Sequence, residues 1–189
     1  MNIKLIIIIA FSIIYALFEI SINMLQRRKS KILKSGDKRS ILVLYIAISI
    51  GYWLSFMIGA TKLGRIYHWN TFLIIGFTLI LIGLIIRITS ILTLKKQFTY
   101  TVTKIDKHEL IENGLYNFIR HPGYLGQLLI FLGIATTLSN WLSMLFMTVP
   151  VLIGYLYRIK VEEQFMLVQM GNKYIDYQKR TKKLIPFIF

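Results

Sequence analysis

Two polar clusters in the second half of the sequence combine side chains that bind and orient charged small molecules. The first is Arg120-His121-Pro122-Gly123-Tyr124, and the second is Arg158 with the adjacent acids Glu162 and Glu163. Arginine holds carboxylates through charge-assisted hydrogen bonds, and a carboxylate accepts hydrogen bonds from hydroxyl and amino groups. Histidine and glutamate also serve as general bases. The two clusters therefore indicate a site that orients polar ligands, with His121 and Glu163 as candidate bases.

The composition excludes several other kinds of site. The chain contains no cysteine, which excludes disulfides, thiolate metal sites and a cysteine nucleophile, and its three histidines provide no histidine-rich metal cluster. We therefore expect no metal ion. A formal net charge of +15 is compatible with nucleic-acid binding, but the basic residues flank apolar segments. Membrane orientation and attraction to anionic lipids explain that placement better, so we expect membrane lipids and no nucleic acid as partners.

Long apolar segments predict that helices crossing a membrane position the two clusters. Hydrophobic residues make up 56% of the chain and charged residues only 16%, whereas about a quarter of a soluble domain is charged. About 20 apolar residues are needed for a helix to cross a hydrocarbon core of about 30 Å. We therefore predict an all-α integral membrane protein with about five transmembrane helices. The expected spans are 3–25, which we interpret as retained and not as a signal peptide, 41–60, 71–94, 122–138 and 141–157.

The last two apolar segments are separated only by Ser139-Asn140, which predicts an antiparallel helical hairpin. Its two outer ends then lie side by side, and this brings His121 next to Arg158 and Glu162. We expect two parts in the chain. Residues 1–94 would form a three-span scaffold, and residues 95–189 a catalytic region with a polar segment, the C-terminal hairpin and a tail. The tail comprises residues 158–189, and the helix that continues into it is expected to end at a C-cap, Gly171.

The start of the fourth span has features of a ligand-binding corner. Pro122 suits the first position of a helix, and the backbone amides of Gly123 and Tyr124 behind it are expected to be free and partly positive. Helix N-termini bind carboxylates and phosphates for this reason. Gly123 and Gly126 would allow a ligand or another backbone to approach closely. The corner therefore predicts an anion or cofactor site.

The distribution of basic residues predicts the orientation of the chain. The loop after the first span, residues 95–120 and the tail carry 7, 5 and 7 lysines and arginines, together 19 of the 23 in the chain. Alternating spans place these three regions on one side, which the positive-inside rule makes cytoplasmic. We therefore expect the N-terminus outside and the C-terminus and the site inside. Arg87, within the third span, is interpreted as structural, with its side chain extending towards the cytoplasmic surface.

Five motifs in chain order resemble the isoprenylcysteine carboxyl methyltransferase family, part of a wider group that includes phospholipid methyltransferases. They are Gly114-Leu115-Tyr116, Arg120-His121-Pro122-x-Tyr124-x-Gly126, Glu162-Glu163, Gly171-Asn172-Lys173-Tyr174-Ile175-Asp176-Tyr177 and Leu184-Ile185-Pro186. The resemblance covers about 108–187, and the preceding spans match only in kind. It implies a membrane enzyme that transfers a methyl group from S-adenosylmethionine to a lipid-like acceptor.

The resemblance also implies roles for individual residues. The implied S-adenosylmethionine contacts, on the cytoplasmic side, are His108, Glu109, Leu110, Ile111, Tyr116, His121, Pro122, Gly123, Tyr124 and Glu162. Arg158 is the implied acceptor-binding residue, and His121, Arg158, Glu162 and Glu163 form the implied catalytic set. Methyl transfer from a sulfonium needs alignment and exclusion of water more than a covalent nucleophile, which agrees with this residue set.

The identity of the acceptor remains open at this point. The leading interpretation is the carboxylate of a prenylated cysteine, or a similar amphiphile, that enters from the bilayer. Family members acting on prenylcysteine often carry a longer acidic run, whereas here Glu162-Glu163 is followed by Gln164-Phe165. The alternatives are a phospholipid amine methyltransferase, an NADPH-dependent enzyme of the sterol-reductase type, and a non-catalytic lipid-binding membrane protein.

Overall fold

A computed structural model of the protein describes residues 3–29, 37–98 and 109–186. The α-helices are α1 (Ile3–Lys29), α2 (Lys38–Gly59), α3 (Trp69–Leu94), α4 (Pro122–Thr137), α5 (Trp141–Met170) and α6 (Asn172–Arg180). Short 3-10 helices follow α3 (Lys95–Gln97) and precede α4 (Gly114–Asn117). The predicted all-α class is confirmed. His108 lies outside the described residues.

Four of these helices are long and apolar enough to cross a membrane, which makes the chain an integral multi-pass membrane protein. They are α1, α2, α3 and α5. The fifth predicted span, α4, has only 16 residues, about 24 Å at 1.5 Å per residue, and so falls short of a hydrocarbon core of about 30 Å. Most of its residues are buried against other helices, so protein rather than lipid surrounds it.

The two most extensive contacts between the described helices are those of α4 with α3 and of α2 with α5. Glycines allow the backbones of α3 and α4 to approach closely. A Cβ atom added at Gly126 would lie 2.7 Å from the carbonyl oxygen of Gly83, and one added at Gly133 would lie 2.7 Å from that of Gly76. Small residues serve this purpose at helix contacts in membranes. Gly126 therefore provides the close backbone approach expected from the sequence, and the partner is α3.

The two predicted parts of the chain share a single hydrophobic cluster. Tyr15, Leu44 and Ile80 from the first 94 residues pack in the same cluster as Ile134 and Tyr155 from the hairpin. The scaffold helices therefore form walls around the hairpin, and any site on the hairpin is bounded by them.

The hairpin connection contains three residues, 138–140, because α4 ends at Thr137, one residue before the predicted end. Asn140 caps α5 by accepting a hydrogen bond from the amide of Ser143 at 3.1 Å. Its Nδ2 donates to the carbonyl oxygen of Leu63 at 2.7 Å, which ties the connection to the loop after α2. At the other end of α5, Gly171 has a φ of +54° and donates its amide to Leu167. The predicted C-cap is confirmed.

The predicted course of the Arg87 side chain is wrong. Arg87 is only 3% exposed and does not extend to the surface. Its guanidinium forms two hydrogen bonds with the carboxylate of Glu19 on α1, with Nε–Oε1 and Nη2–Oε2 distances of 3.0 and 2.9 Å. An arginine that pairs with a carboxylate inside the helix bundle need not extend to the aqueous surface, because the carboxylate compensates its charge.

Candidate active site

A cavity of about 720 Å³ lies among α1 to α5 and the segment before α4. Along α2 it extends from Ile41 to Phe56, about 22 Å at the rise of an α-helix. Its lining is apolar near Phe56 and Phe131, and becomes polar near His121, Arg158 and Glu162. Its volume is within the range of pockets that bind cofactors and drug-sized ligands. The shape suits a molecule with one polar end and a long apolar part.

Tyr124 connects the two predicted polar clusters at the polar end of the cavity. Its hydroxyl donates to Oε2 of Glu162 at 2.6 Å, and Nε of Arg158 approaches the same hydroxyl at 3.5 Å. Arg158 is 2% exposed. Its Nη1 donates to the Ser40 hydroxyl at 2.5 Å. The predicted proximity of the two hairpin ends is confirmed, since Tyr124 lies in the first turn of α4 and contacts Arg158 and Glu162 in the second half of α5.

Glu163 faces away from Glu162 and binds the segment before α4 and the tail. Its Oε1 accepts a hydrogen bond from Nε of Arg120 at 2.7 Å and lies 3.4 Å from Nε2 of His121. Lys183 approaches the other carboxylate oxygen at 3.7 Å. The neighbouring acids therefore have different surroundings. Glu162 borders the cavity, whereas the carboxylate of Glu163 is engaged in ion pairs.

The tail continues this attachment through its backbone. The amides of Arg120 and His121 donate to the carbonyl oxygens of Lys182 and Lys183, at 2.8 and 3.2 Å. Nη1 of Arg120 donates to the carbonyl oxygen of Thr181 at 2.6 Å. The Leu184 side chain is 2% exposed. The segment after α6 thus holds the residues that precede α4 in place.

Tyr116 is fixed from both sides within the cavity wall. Its hydroxyl lies 2.6 Å from the Ser90 hydroxyl, and its carbonyl oxygen accepts a hydrogen bond from the Tyr177 hydroxyl at 2.6 Å. Burial raises the pKa of the Tyr116 phenol above its ordinary value, and burial does the same for Tyr177. Both phenols therefore stay neutral at physiological pH and keep their hydroxyl protons for hydrogen bonding.

The remaining predicted cofactor contacts lie in the cavity wall and at the start of α4. Glu109, Leu110 and Ile111 line the cavity. Pro122 is fully buried at the first position of α4. A Cβ atom added at Gly123 would lie 2.9 Å from Nη1 of Arg87, so this glycine allows close packing against α3.

The prediction of a free amide at Tyr124 is wrong. That amide donates to the carbonyl oxygen of His121 at 3.1 Å, because His121 closes the first turn of α4. The ring of His121 also stacks on the ring of Tyr124, with centroids 5.5 Å apart and an interplanar angle of 10°. The corner is therefore built from stacked side chains more than from free backbone donors.

The structure adds cavity residues that the motifs did not identify. Tyr15, Glu19, Gln127 and Tyr155 line the cavity together with Arg87. Glu19 could have been identified from the sequence, because an acidic residue within an apolar span is energetically costly and usually has a partner or a function. Nothing in the sequence distinguishes Ser40, which contacts Arg158 and is not part of the cavity lining described above, because a serine at the start of a helix is ordinary.

Comparisons with known proteins agree with the motifs. The family model described as "Phospholipid methyltransferase" matches residues 71–173, a little over half of the chain. The chain is 32% identical over 115 residues to protein-S-isoprenylcysteine O-methyltransferase B of Arabidopsis thaliana, covering 60% of this chain and 58% of that protein. It is 30% identical over 148 residues to the protein-S-isoprenylcysteine O-methyltransferase of Tribolium castaneum, covering 76% and 52%.

A solved structure has a similar fold. It is described as the eukaryotic intramembrane Ras methyltransferase ICMT (isoprenylcysteine carboxyl methyltransferase), and it matches with a TM-score of 0.56 and 27% identity. The match covers 82% of this chain and 55% of that chain. The chain thus spans between about half and three fifths of the length of these similar proteins.

Proposed function

The chain belongs to the phospholipid methyltransferase family, and from this premise we propose that it is an S-adenosylmethionine-dependent membrane methyltransferase. The proposed acceptor is the carboxylate of a prenylated cysteine or a similar amphiphile. The single observation that carries the proposal is the linkage of Arg158, Tyr124 and Glu162 at the polar end of a long, largely apolar cavity. The names of the similar proteins support the same acceptor.

The polar end of the cavity fits S-adenosylmethionine in the chemistry of its residues. Glu162 is half-buried and faces the cavity, so its carboxylate can accept hydrogen bonds from ribose hydroxyls or an amino group. Tyr116 and the stacked His121–Tyr124 pair offer aromatic surfaces beside it. Glu109, Leu110 and Ile111 complete this wall. When bound, the cofactor supplies a methyl group already activated on a positively charged sulfur.

Arg158 is the proposed binding residue for the acceptor carboxylate. Its guanidinium borders the cavity and contacts the neutral hydroxyls of Ser40 and Tyr124. A buried arginine attracts a carboxylate strongly and disfavours an ammonium group. The apolar walls near Tyr52 and Phe131 would hold the hydrocarbon chain, which we propose enters from the bilayer.

Methylation of a carboxylate acceptor does not require a general base. Carboxyl groups are ionised at neutral pH, so the attacking oxygen carries no proton that must be removed. This agrees with the surroundings of Glu163, whose carboxylate pairs with Arg120 and contacts His121. We propose that Glu163 positions these residues and that His121 orients the cofactor. Alignment of donor and acceptor and exclusion of water would then provide most of the catalysis.

We also propose that the site faces the cytoplasm. The loop after the first span, residues 95–120 and the residues from 158 onwards carry 19 of the 23 lysines and arginines, and the positive-inside rule predicts that these three regions are cytoplasmic. The cofactor would then enter from the aqueous side. The connection between α4 and α5 contacts the loop after α2, so we count α4 as a fifth crossing although it is short. The N-terminus would then be outside and the C-terminus inside.

Binding of S-adenosylhomocysteine to the purified protein tests the methyl donor. We expect micromolar affinity, and Glu162→Ala or His121→Ala should weaken it at least about tenfold, equivalent to roughly 1.4 kcal/mol. Asp176→Ala is the matched acidic control, because Asp176 is exposed and forms an ion pair with Lys179, three residues along the same helix. Binding of NADPH without S-adenosylhomocysteine would favour the sterol-reductase alternative. Failure to bind either S-adenosylhomocysteine or NADPH would favour the alternative of a non-catalytic lipid-binding protein.

The acceptor is tested separately with labelled S-adenosylmethionine and membranes. A methyl ester of a prenylated cysteine releases its label in alkali, whereas an N-methylated phospholipid retains it. An alkali-stable product would replace the carboxylate proposal with the phospholipid amine alternative, which the name of the matching family also suggests.

A further inference from the structure

The side chain of Ser40 contacts Arg158 although the two residues are 118 positions apart in the sequence. Nη1 of Arg158 donates to the Ser40 hydroxyl at 2.5 Å. Ser40 is completely buried and Arg158 is 2% exposed. A hydrogen bond to a charged group is stronger than one between neutral groups, and burial away from water strengthens it further. The contact is therefore strong enough to influence where the guanidinium lies.

The first turn of α2 fixes the position of Ser40. Asp37 is the N-cap residue, and its two carboxylate oxygens accept hydrogen bonds from the amides of Arg39 and Ser40, at 2.9 and 3.1 Å. Such caps hold the first helical turn rigidly. Burial by itself would raise the pKa of the Asp37 carboxyl, but hydrogen bonds from Ser40 and Arg39 outweigh it and lower that pKa. Asp37 therefore stays ionised and the cap persists at physiological pH.

Ser40 contacts both neighbours at once through two different groups. Its amide donates to the carboxylate of Asp37, and its side-chain oxygen, which has two lone pairs, accepts from Arg158. The cap therefore fixes the backbone that carries the serine oxygen beside the guanidinium. The serine thus links a helix cap to the arginine.

Ser40 and Tyr124 contact different nitrogens of the same guanidinium. Ser40 contacts Nη1, and Tyr124 approaches Nε at 3.5 Å. The guanidinium is planar, so two contacts at separate nitrogens restrict both its position and the direction in which its plane faces. Bidentate recognition of a carboxylate depends on that direction.

We propose that Ser40 is a positioning residue that holds Arg158 in the orientation needed to bind the acceptor carboxylate. The inference rests on the proposed function, because it assumes that Arg158 is the acceptor-binding residue. It also extends the site to the start of α2, in the half of the chain that precedes the family motifs. Acceptor affinity, and not cofactor affinity, is then the property that Ser40 controls.

A pair of matched probes tests this inference by direct binding. The first probe is a farnesyl thioether ending in a carboxylate, and the second is its carboxamide, each measured with the full chain in nanodiscs. Ser40→Ala should weaken binding of the carboxylate about tenfold, equivalent to about 1.4 kcal/mol, and change binding of the carboxamide less than about twofold. Ser40→Cys should behave like Ser40→Ala, because sulfur fills the space but accepts hydrogen bonds weakly.

Ser55→Ala is the control variant. Ser55 is also a fully buried serine of α2, and it does not contribute to the cavity lining described above. Equal losses for both probes, no loss for Ser40→Ala, or the same selective loss for Ser55→Ala would overturn the inference. Binding of S-adenosylhomocysteine should remain within about twofold in every variant. That measurement separates the two ideas, because failure of the wild type to bind S-adenosylhomocysteine counts against the proposed function alone.

Discussion

Glu19 and Arg87 form a two-bond ion pair between α1 and α3, inside the segments that cross the membrane. The hydroxyl of Tyr15 donates a third hydrogen bond to the Glu19 carboxylate at 2.9 Å. Helix α1 packs on α4 much less extensively than α3 does. The pair therefore provides α1 with a specific attachment to the bundle and sets its position as a wall of the cavity.

Glu19→Gln should strongly destabilise the protein. The replacement removes the charge of Glu19 from the buried guanidinium of Arg87, and breaking a buried ion pair from one side costs about 3–5 kcal/mol. Unfolding in detergent, followed by circular dichroism, measures the loss. Adding Arg87→Met to Glu19→Gln should recover part of the stability, because no uncompensated charge then remains.

The exposed pair between Lys179 and Asp176 is the control for this prediction. Both side chains are about two-thirds exposed, and exposed pairs contribute at most about 1 kcal/mol. Asp176→Asn should therefore change stability little. A loss for Glu19→Gln no larger than that for Asp176→Asn would contradict the assigned role of the ion pair.

The adjacent acids Glu162 and Glu163 should respond differently to the same substitution. Glu163→Gln removes the charge that pairs with Arg120 and Lys183, so it should lower thermal stability and speed proteolysis after α6. Glu162→Gln should leave stability nearly unchanged and weaken S-adenosylhomocysteine binding about tenfold. Melting temperature, limited proteolysis and calorimetry of the two variants make the comparison. Reversed effects would exchange the roles assigned to the two acids.

Tyr124→Phe isolates the contribution of one hydroxyl. The variant keeps the ring that packs against His121 and Tyr155, but it loses the hydroxyl that contacts both Glu162 and Arg158. Loss of hydrogen bonds to charged groups costs about 1.5–3 kcal/mol. We expect kcat/KM for methyl transfer to fall by at least about tenfold.

Tyr157→Phe is the control for the hydroxyl deletion. Tyr157 lies on α5, one position from Arg158, but its side chain is 37% exposed and does not belong to the cavity lining described above. The methyl-transfer activity of Tyr157→Phe should match that of the wild type. Equal activity of the wild type and Tyr124→Phe would show that the bridge between the two clusters is not used in the reaction.

The sequence was sufficient to predict the hairpin and the meeting of its ends. Those features depend on local rules, namely an apolar segment on each side of Ser139-Asn140 and a proline at the first position of α4. The length of α5 and its end at Gly171 also followed, because a glycine with positive φ terminates helices by its own backbone freedom.

The contacts between distant parts of the chain could not be predicted in the same way. Arg87 was expected at the surface because one sequence does not indicate that Glu19, 68 positions earlier, reaches it. A local detail was also missed: the amide of Tyr124 was expected to be free because the first amides of a helix have no partner further back in it, whereas the carbonyl oxygen of His121, three residues earlier, accepts from it. Glu163 was grouped with Glu162 because adjacent residues look alike in sequence, although a helix rotates about 100° between them.

Gly126→Ala should disturb both packing and cofactor binding. Alanine normally stabilises a helix relative to glycine by about 1 kcal/mol, but the added methyl group would lie 2.7 Å from the Gly83 carbonyl oxygen and 2.8 Å from the Arg87 amide nitrogen. Backbone atoms on α3 cannot move aside as a side chain can, so α4 must shift, at a cost of about 1–3 kcal/mol. That shift also displaces Gly123 and Tyr124, which lie within the turn before Gly126, and should weaken S-adenosylhomocysteine binding several-fold.

Gly59→Ala is the control, because a Cβ atom added at Gly59 would have as its nearest neighbours the side-chain atoms Cδ1 of Leu138 and Oγ of Ser143, at 3.1 and 3.2 Å. Calorimetry showing equal affinity for the two variants would mean that the close contact of α3 and α4 does not set the geometry of the cofactor corner.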